Sequence, residues 1–373
     1  VDDAEFNVIM LQEVLGSRGF RNCMKALDGE KALEMTLAHK PDIVILDLMM
    51  PGMNGYEYCR RIRRMAEFDD MPILVLTMLK EPQERARAFD AGASDLVNKP
   101  VHVDELLARV TLHLRRKFSM GKLNRYREEN EQELKAARKM QDMLLPGAET
   151  IRDAEQRHGL TIYSHSAPCA NIGGDFWGML ELSPHELALF MVDFSGHGVT
   201  AALNTFRLHA IIMELKQRMA DPGLFLTTLN ERLSVLLGAE QFATMFCGVL
   251  DATADTLRYA AAGSPPPLII SEGGASAYTL DCRGVPLGVR SSQRYATREV
   301  PFERGDSLLL FSDALLEGVN ETFQPFEDHF FSAYSWPCKE PSQVFQSLIA
   351  DFYQHTGGVV ADDLTVNLYF RNP

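Results

Sequence analysis

The sequence predicts an α/β unit on a doubly wound, five-stranded parallel sheet, joined by a long helix to an α+β sandwich of antiparallel sheets with flanking helices. Three patterns carry that prediction. Residues 1–118 alternate helical and strand periodicity at short intervals, as a parallel sheet covered on both faces requires. Residues 119–146 are polar and keep a helical pattern. Residues 147–373 carry short apolar runs interrupted by paired helical stretches, which suits helices packed outside antiparallel sheets. A length of 373 residues fits two or three domains at about 150 residues each.

In chain order, a helix is expected over Phe6–Gly16, with Val8, Leu11 and Leu15 on one face. Strands follow at Cys23–Leu27, Ile43–Leu46, Ile73–Leu76 and Asp95–Val97, and helices at Glu30–His39, Gly55–Met65, Pro82–Ala91 and Val103–Phe118. The chain opens without Met, on Val1-Asp2-Asp3. An acid pair at a strand end needs apolar residues before it, so the first strand is expected to be truncated here and the native N-terminus to lie upstream. Beyond Pro146-Gly147, strands are expected at Leu160–Ser164, Leu187–Val192, Thr244–Leu250, Leu257–Ala262, Pro267–Ile270, Ser307–Phe311 and Thr365–Phe370. Helices are expected at Val199–Met219, Gly223–Leu237 and Ser342–Tyr353.

Two acidic constellations stand out. The first joins Asp2 and Asp3 to Asp47 after the run Ile43–Leu46, Thr77 after Ile73–Leu76, and Lys99-Pro100 after Asp95–Asn98. An acid pair, a separate Asp, a hydroxyl and a lysine at strand ends describe a phosphoryl-accepting carboxylate. Mg²⁺ on the acidic residues would neutralise phosphate charge, and Thr77 and Lys99 would hold its oxygens. Residues 1–118 resemble a response-regulator receiver domain, which makes Asp47 the phosphoacceptor, Asp2, Asp3 and Asp47 the Mg²⁺ site, and a sensor histidine kinase the expected partner. Receivers usually carry Tyr or Phe three residues before the lysine; this chain has Leu96.

The second constellation is Gly-Gly-Asp at 173–175, Val-Asp-Phe-Ser-Gly-His-Gly at 192–198, Phe-Ser-Asp at 311–313 and Ala-Asp-Asp-Leu-Thr at 361–365. Carboxylates aimed at one point from separate strand ends suit Mg²⁺ or Mn²⁺. Two such ions about 3.5–4 Å apart activate water for in-line attack on a phosphoester. Ala-Thr-Met-Phe-Cys-Gly (243–248), Ala-Gly-Ser-Pro-Pro-Pro (262–267), Pro-Leu-Gly (286–288) and Gly-Asp-Ser-Leu-Leu-Leu-Phe-Ser-Asp (305–313) extend the pattern. Together these blocks resemble the metal-dependent serine/threonine phosphatases of the stage II sporulation protein E type. That resemblance makes Asp193 a bridge between two metals, with the Phe194 carbonyl on one. Asp313 and Asp362 complete one site, and Asp175 supports the other. Asp363 is assigned to capping or backbone bonding, and His197 to an exposed turn or a proton relay. Two departures are visible: Ala314 where the pattern has Gly, and Ser264 where it has His.

The linker helix, Lys122–Leu145, offers a short seam of Leu123, Asn130, Leu134, Ala137 and Leu144, imperfect at Arg127 and Gln141. Asn130 in such a seam favours a parallel homodimer, and a solvated single helix is the alternative. A net charge of −14 argues against nucleic-acid or acidic-membrane partners. The six cysteines lack close pairing, and no run is long enough to span a bilayer, so a reduced, cytoplasmic protein is expected. The domains are expected at 1–118, 119–146 and 147–373. The resemblances imply a phosphorylation-controlled phosphatase acting on a phosphorylated anti-sigma-factor antagonist. The same layout also resembles the adaptor that delivers the stationary-phase sigma factor to a protease.

Overall fold

The computed structural model describes residues 1–78, 81–169, 172–196, 198–238, 240–271, 277–333 and 340–373. The chain divides into two units, Val1–Asn130 and Glu131–Pro373.

The first unit runs α1 (Glu5–Ser17), α2 (Gly29–His39), β1 (Val44–Asp47), α3 (Gly55–Arg63), β2 (Ile73–Thr77), α4 (Pro82–Asp90) and β3 (Asp95–Asn98), then enters α5 (Val103–Asp142). Asp28 and Asn54 cap α2 and α3 by accepting from the N–H groups of Lys31 and Glu57. The sheet is parallel, in the order β1-β2-β3. The two-residue period sorts its faces. Ile73 and Val75 pack with Leu46, Tyr58 and Ile62, whereas Leu74 and Leu76 pack with Leu11, Leu15, Leu106 and Val110.

Among the described residues the sheet has three ladder-forming strands rather than five: neither Cys23–Leu27 nor the truncated first strand at Val1-Asp2 forms one. Only Val1 and Asp2 occupy the lane between Cys23–Leu27 and β1. Val1 exchanges bonds with Ile45 and Asp47 at 2.7 and 2.9 Å, while Asp2 gives Ala26 a single long one of 3.4 Å. One rung does not make a ladder. Helix α5 runs unbroken from Val103 to Asp142, as expected of the long helix that joins the two parts.

The second unit contains α6 (Ala148–His158), β4 (Leu160–Ala167), β5 (Phe176–Ser183), β6 (Glu186–Phe194), α7 (Val199–Leu215), α8 (Pro222–Leu236), β7 (Ala243–Asp251), β8 (Thr256–Ala262), β9 (Leu268–Ile270) and β10 (Ala277–Thr279). It continues with β11 (Arg298–Pro301), β12 (Ser307–Phe311), α9 (Ala314–Glu317), α10 (Phe326–Ala333), α11 (Pro341–His355) and β13 (Leu364–Arg371). Two antiparallel sheets, β10-β9-β12-β13-β4 and β11-β8-β7-β6-β5, pack through Trp177, Leu189, Met191, Phe246, Leu310 and Tyr369. The outer face of the second sheet buries Phe190, Val192 and Met245 against Leu208, Ile212, Phe225 and Leu229 of α7 and α8. The outer face of the first buries Leu309, Phe311 and Val366 against Phe326, Leu348 and Phe352 of α10 and α11. Four layers, helix–sheet–sheet–helix, result.

Strand β5 was not anticipated. Its sequence is apolar on both faces and broken by Gly178, where an added Cβ would lie 2.5 Å from the Phe190 ring. Helices α6, α9 and α10 and the short strands β10 and β11 were also missed.

Candidate active site

The four acidic motifs reach one end of the sandwich. Asp193 is the next-to-last residue of β6, opposite Thr244 of β7. The chain then leaves the sheet through Ser195, whose N–H donates to the Phe242 carbonyl at 2.9 Å and whose Oγ accepts from the Phe242 N–H at 3.0 Å. Gly196 and Gly198, at φ 84° and 83°, make the turn into α7. His197 lies outside the described residues. The Gly173–Asp175 loop runs alongside. An added Cβ at Gly174 would lie 3.1 Å from the Phe194 carbonyl oxygen, so the loop passes against that carbonyl.

Asp175 is the most telling residue. Both its carboxylate oxygens are sealed from solvent without a hydrogen-bond partner. Burial pushes its pKa well up, Asp193 adds to the rise, and the hydroxyls of Thr365 and Ser312 only oppose it. Asp193 is pushed up to about 8, by burial first and then by Asp313, Asp362 and Asp363. Asp313 is raised by burial, Glu317 and Asp362. It stands at the N-cap of α9, yet its side chain makes no cap bond and is free for other work. Such a set is stable in ionised form only with positive charge among it. Hard oxygen donors of this kind fit Mg²⁺ or Mn²⁺.

Asp362 is exposed and accepts from the Asp363 N–H at 2.8 Å. Asp363 is buried and takes the backbone role expected of it, accepting from Cys169 N–H at 2.9 Å and Gly174 N–H at 2.5 Å. Asp362, Asp363 and Cys169 bring ligand atoms within 4.8 Å of one another; the set Asp175, Asp193, Asp313 and Asp362 is not drawn that close. The Cys169 thiol is pushed up to about 11 by burial and Asp363, so it stays protonated.

Sequence reading missed Gln141, treated only as an imperfect seam position. It is buried, and its amide donates to the Gly173 carbonyl at 2.7 Å and to Thr205 Oγ1 at 3.2 Å, while its Oε1 accepts from Gly173 N–H at 3.3 Å. Arg138, one turn earlier, lines a recess with Asp175 and Asp363, its guanidinium bound to Asp142 at 2.8 Å. A lone glutamine or arginine within a polar helix gives no sequence signal for either. Ala314, where the pattern has Gly, sits in the first turn of α9, and its φ is not positive, so its methyl brings no backbone strain.

In the first unit, Lys99 Nζ donates to Asp47 at 2.6 Å and to Asp2 at 2.9 Å. Asp2, Asp3 and Asp47 bring carboxylate oxygens within 4.8 Å of one another. Burial works against ionising Asp2, but bonds from Lys99 and Asn7 outweigh it and hold its pKa below the usual range. Lys99 is likewise penalised by burial yet raised overall by Asp47 and Asp2. Thr77 is buried at the end of β2, and its backbone carbonyl accepts from the Lys99 N–H at 2.7 Å. Leu96 is a core residue of β3.

Residues 1–111 match the response regulator receiver domain, and residues 183–370 match stage II sporulation protein E (SpoIIE). The chain is 39% identical over 118 residues to transcriptional regulatory protein YvrH of Bacillus subtilis, covering 32% of this chain and 48% of that protein. It is 48% identical over 91 residues to response regulator MprA of Mycobacterium leprae, covering 24% and 39%. It thus spans less than half the length of these relatives. Its fold is similar to the SiaA-PP2C domain of Pseudomonas aeruginosa, with TM-score 0.56 and 22% identity over 66% of this chain and 99% of that one. It is also similar to the PP2C phosphatase domain and regulatory fragment of SpoIIE from Bacillus subtilis, with TM-score 0.50 and 20% identity over 57% and 63%. Half of the sequence carries the stage II sporulation protein E signature and the opening third the receiver signature, so the chain belongs to the stage II sporulation protein E family, its phosphatase-type domain following a response regulator receiver domain.

Proposed function

We propose that the chain is a response regulator in which phosphorylation of Asp47 controls a metal-dependent protein serine/threonine phosphatase. The observation that carries the hydrolase reading is Asp175, sealed from solvent beside Asp193 so that two carboxylates repel in a dry site. Asp193, the Phe194 carbonyl, Asp313 and Asp362 would hold Mg²⁺ or Mn²⁺, with Asp175 supporting. Two such ions, when bound, acidify water and neutralise phosphate charge. The chain's own part is to aim carboxylates from four separate loops and to keep Asp175 dry, which strengthens every charge interaction there. No side chain is needed as a covalent nucleophile.

The family's usual place in sigma-factor partner switching supports a phosphorylated anti-sigma-factor antagonist as substrate. A sensor histidine kinase would supply the phosphoryl group to Asp47, where Lys99 already holds the acceptor carboxylate. Residues 119–146 would serve as linker and homodimer seam between a receiver at 1–118 and a phosphatase at 147–373. The unbroken α5, ending in Gln141 against Gly173, supports coupling along that helix.

The test measures phosphate release from a phosphoserine protein with Mn²⁺, with and without beryllofluoride as a phosphoryl mimic, and with Asp193→Ala as control. Metal-dependent release that Asp193→Ala abolishes is expected. Its absence would favour the adaptor reading. Equal rates with and without beryllofluoride would sink the coupling, and Gln141→Ala is expected to reduce the response to the mimic.

A further inference from the structure

The wall beside Asp193 is the segment 263–267, and it has two sides. On one, Ser264, Pro265 and Pro267 enclose a water-sized space with Asp193, Thr244 and Ser312. On the other, Gly263, Ser264 and Pro266 form one bank of an open groove of about 610 Å³. Its opposite bank is the segment 279–284. The volume falls within the range of about 300–1,000 Å³ typical of binding clefts. Ser264 belongs to both spaces, and its Oγ is buried with only the weak Cys282 thiol beside it. A buried hydroxyl served only by a thiol gains from a stronger polar partner.

The far bank is charged. Asp281 accepts from Arg283 at 2.9 Å and from Arg298 at 3.3 Å. Arg283 on this bank and Arg298 on β11 behind it share the one Asp281 carboxylate, so this three-residue cluster carries a single net positive charge on a chain whose net charge is −14. The Arg283 side chain is 92% exposed and turned to solvent. Leu280 and Cys282 are buried beneath, giving the groove an apolar floor.

We propose that this groove takes the extended polypeptide flanking the phosphorylated residue of the substrate and selects flanks that carry acidic side chains. The proposal rests on the phosphatase reading, because the groove is useful only if a phosphorylated residue enters beside Asp193. Continuity through Ser264 places the flank next to the reacting group. A locally positive bank offsets the repulsion an acidic segment meets from the rest of the chain. Arg283 is then a specificity-determining residue that a small phosphomonoester would never meet.

The experiment uses the full chain with Mn²⁺, p-nitrophenyl phosphate, and two phosphoserine peptides whose flanks carry either Glu or Lys. The Glu-flanked peptide should show kcat/KM at least about tenfold higher than the Lys-flanked one. Arg283→Glu should erase or invert that ratio and Arg283→Gln should reduce it, with p-nitrophenyl phosphate turnover within about twofold of the unmodified chain. A ratio near one, a ratio untouched by Arg283→Glu, or parallel loss of p-nitrophenyl phosphate turnover overturns the proposal. If the unmodified chain turns over none of the three, the phosphatase reading fails. The groove is then judged by fluorescence anisotropy with the same peptides: preference for Glu flanks that Arg283→Glu abolishes supports it, and equal binding overturns it.

Discussion

Raising the pH should destabilise the metal-free Glu131–Pro373 unit, and Mn²⁺ should cancel the effect. The lever is Asp193, whose carboxyl rises from 3.8 to about 8 in the folded chain. Below the lower value, both folded and unfolded chains hold the proton and the group contributes nothing. Between the two values the unfolded chain ionises while the folded one does not, so stability falls as pH rises. Above the upper value both are ionised and the full penalty stands. A rise of about four units at ~1.4 kcal/mol each would be ~6 kcal/mol. Asp193 is only half-buried and shares its repulsion with Asp175 and Asp313, so a loss of about 2–4 kcal/mol between pH 5 and pH 8 is the expectation. Urea unfolding followed by tryptophan fluorescence reads this unit alone, since both tryptophans, Trp177 and Trp336, fall in its sequence. Asp193→Asn should flatten most of the slope. A metal-free stability indifferent to pH, or a slope that survives Asp193→Asn, would refute the account of mutually repelling, desolvated carboxylates.

Three further outcomes follow from particular contacts. Lys99→Met strands Asp2 and Asp47 together, and should lower the thermal stability of the first unit by about 3 kcal/mol, recovered in part by Mg²⁺, with labelling of Asp47 by acetyl phosphate lost. Gly173→Ala sets a methyl 2.5 Å from the Asp363 carboxylate; phosphatase turnover should drop by about 10²-fold with an unchanged circular dichroism spectrum. Ala314→Gly should lower stability by up to ~1 kcal/mol, as expected in a helix, and should not raise turnover.

The sequence made the layout legible wherever period and punctuation agreed. The apolar run Ile73–Leu76 and the helices expected at Glu30–His39 and Gly55–Met65 were readable because each is a local decision of the chain. Strand β5 was not, since Phe176 and Trp177 are both buried, on opposite faces, and Gly178 is set by Phe190 across the ladder. The strand expected at Cys23–Leu27 failed for the opposite reason: its own pattern was adequate, but its partner lane holds two residues. Asp47, Lys99, Asp175, Asp193, Asp313 and Asp362 could be named from motifs. The backbone role of Asp363 was assigned too, but not its partners, the Cys169 and Gly174 N–H groups, which lie 194 and 189 residues away in sequence.

Gln141 and Asp363 show how the Gly173–Asp175 loop is set by residues distant from it in sequence. Asp363 takes the Gly174 N–H from the β13 side, and Gln141 takes both backbone groups of Gly173 from the last turn of α5. The same amide reaches Thr205, which is itself tied to the Ala202 carbonyl in α7 at 2.7 Å. Withdrawing that helix turn would strand the Gly173 backbone and the Thr205 hydroxyl in a dry place, at about 1–3 kcal/mol for each group left unpaired. Partial withdrawal is therefore poorly tolerated. The helix end is either seated, with Asp175 held beside Asp193, or unseated, with the loop free to carry Asp175 away. The burial of one carboxylate and the seating of one helix turn thus form a single variable, and a cation that draws Asp175 toward Asp193 must also favour the seated turn.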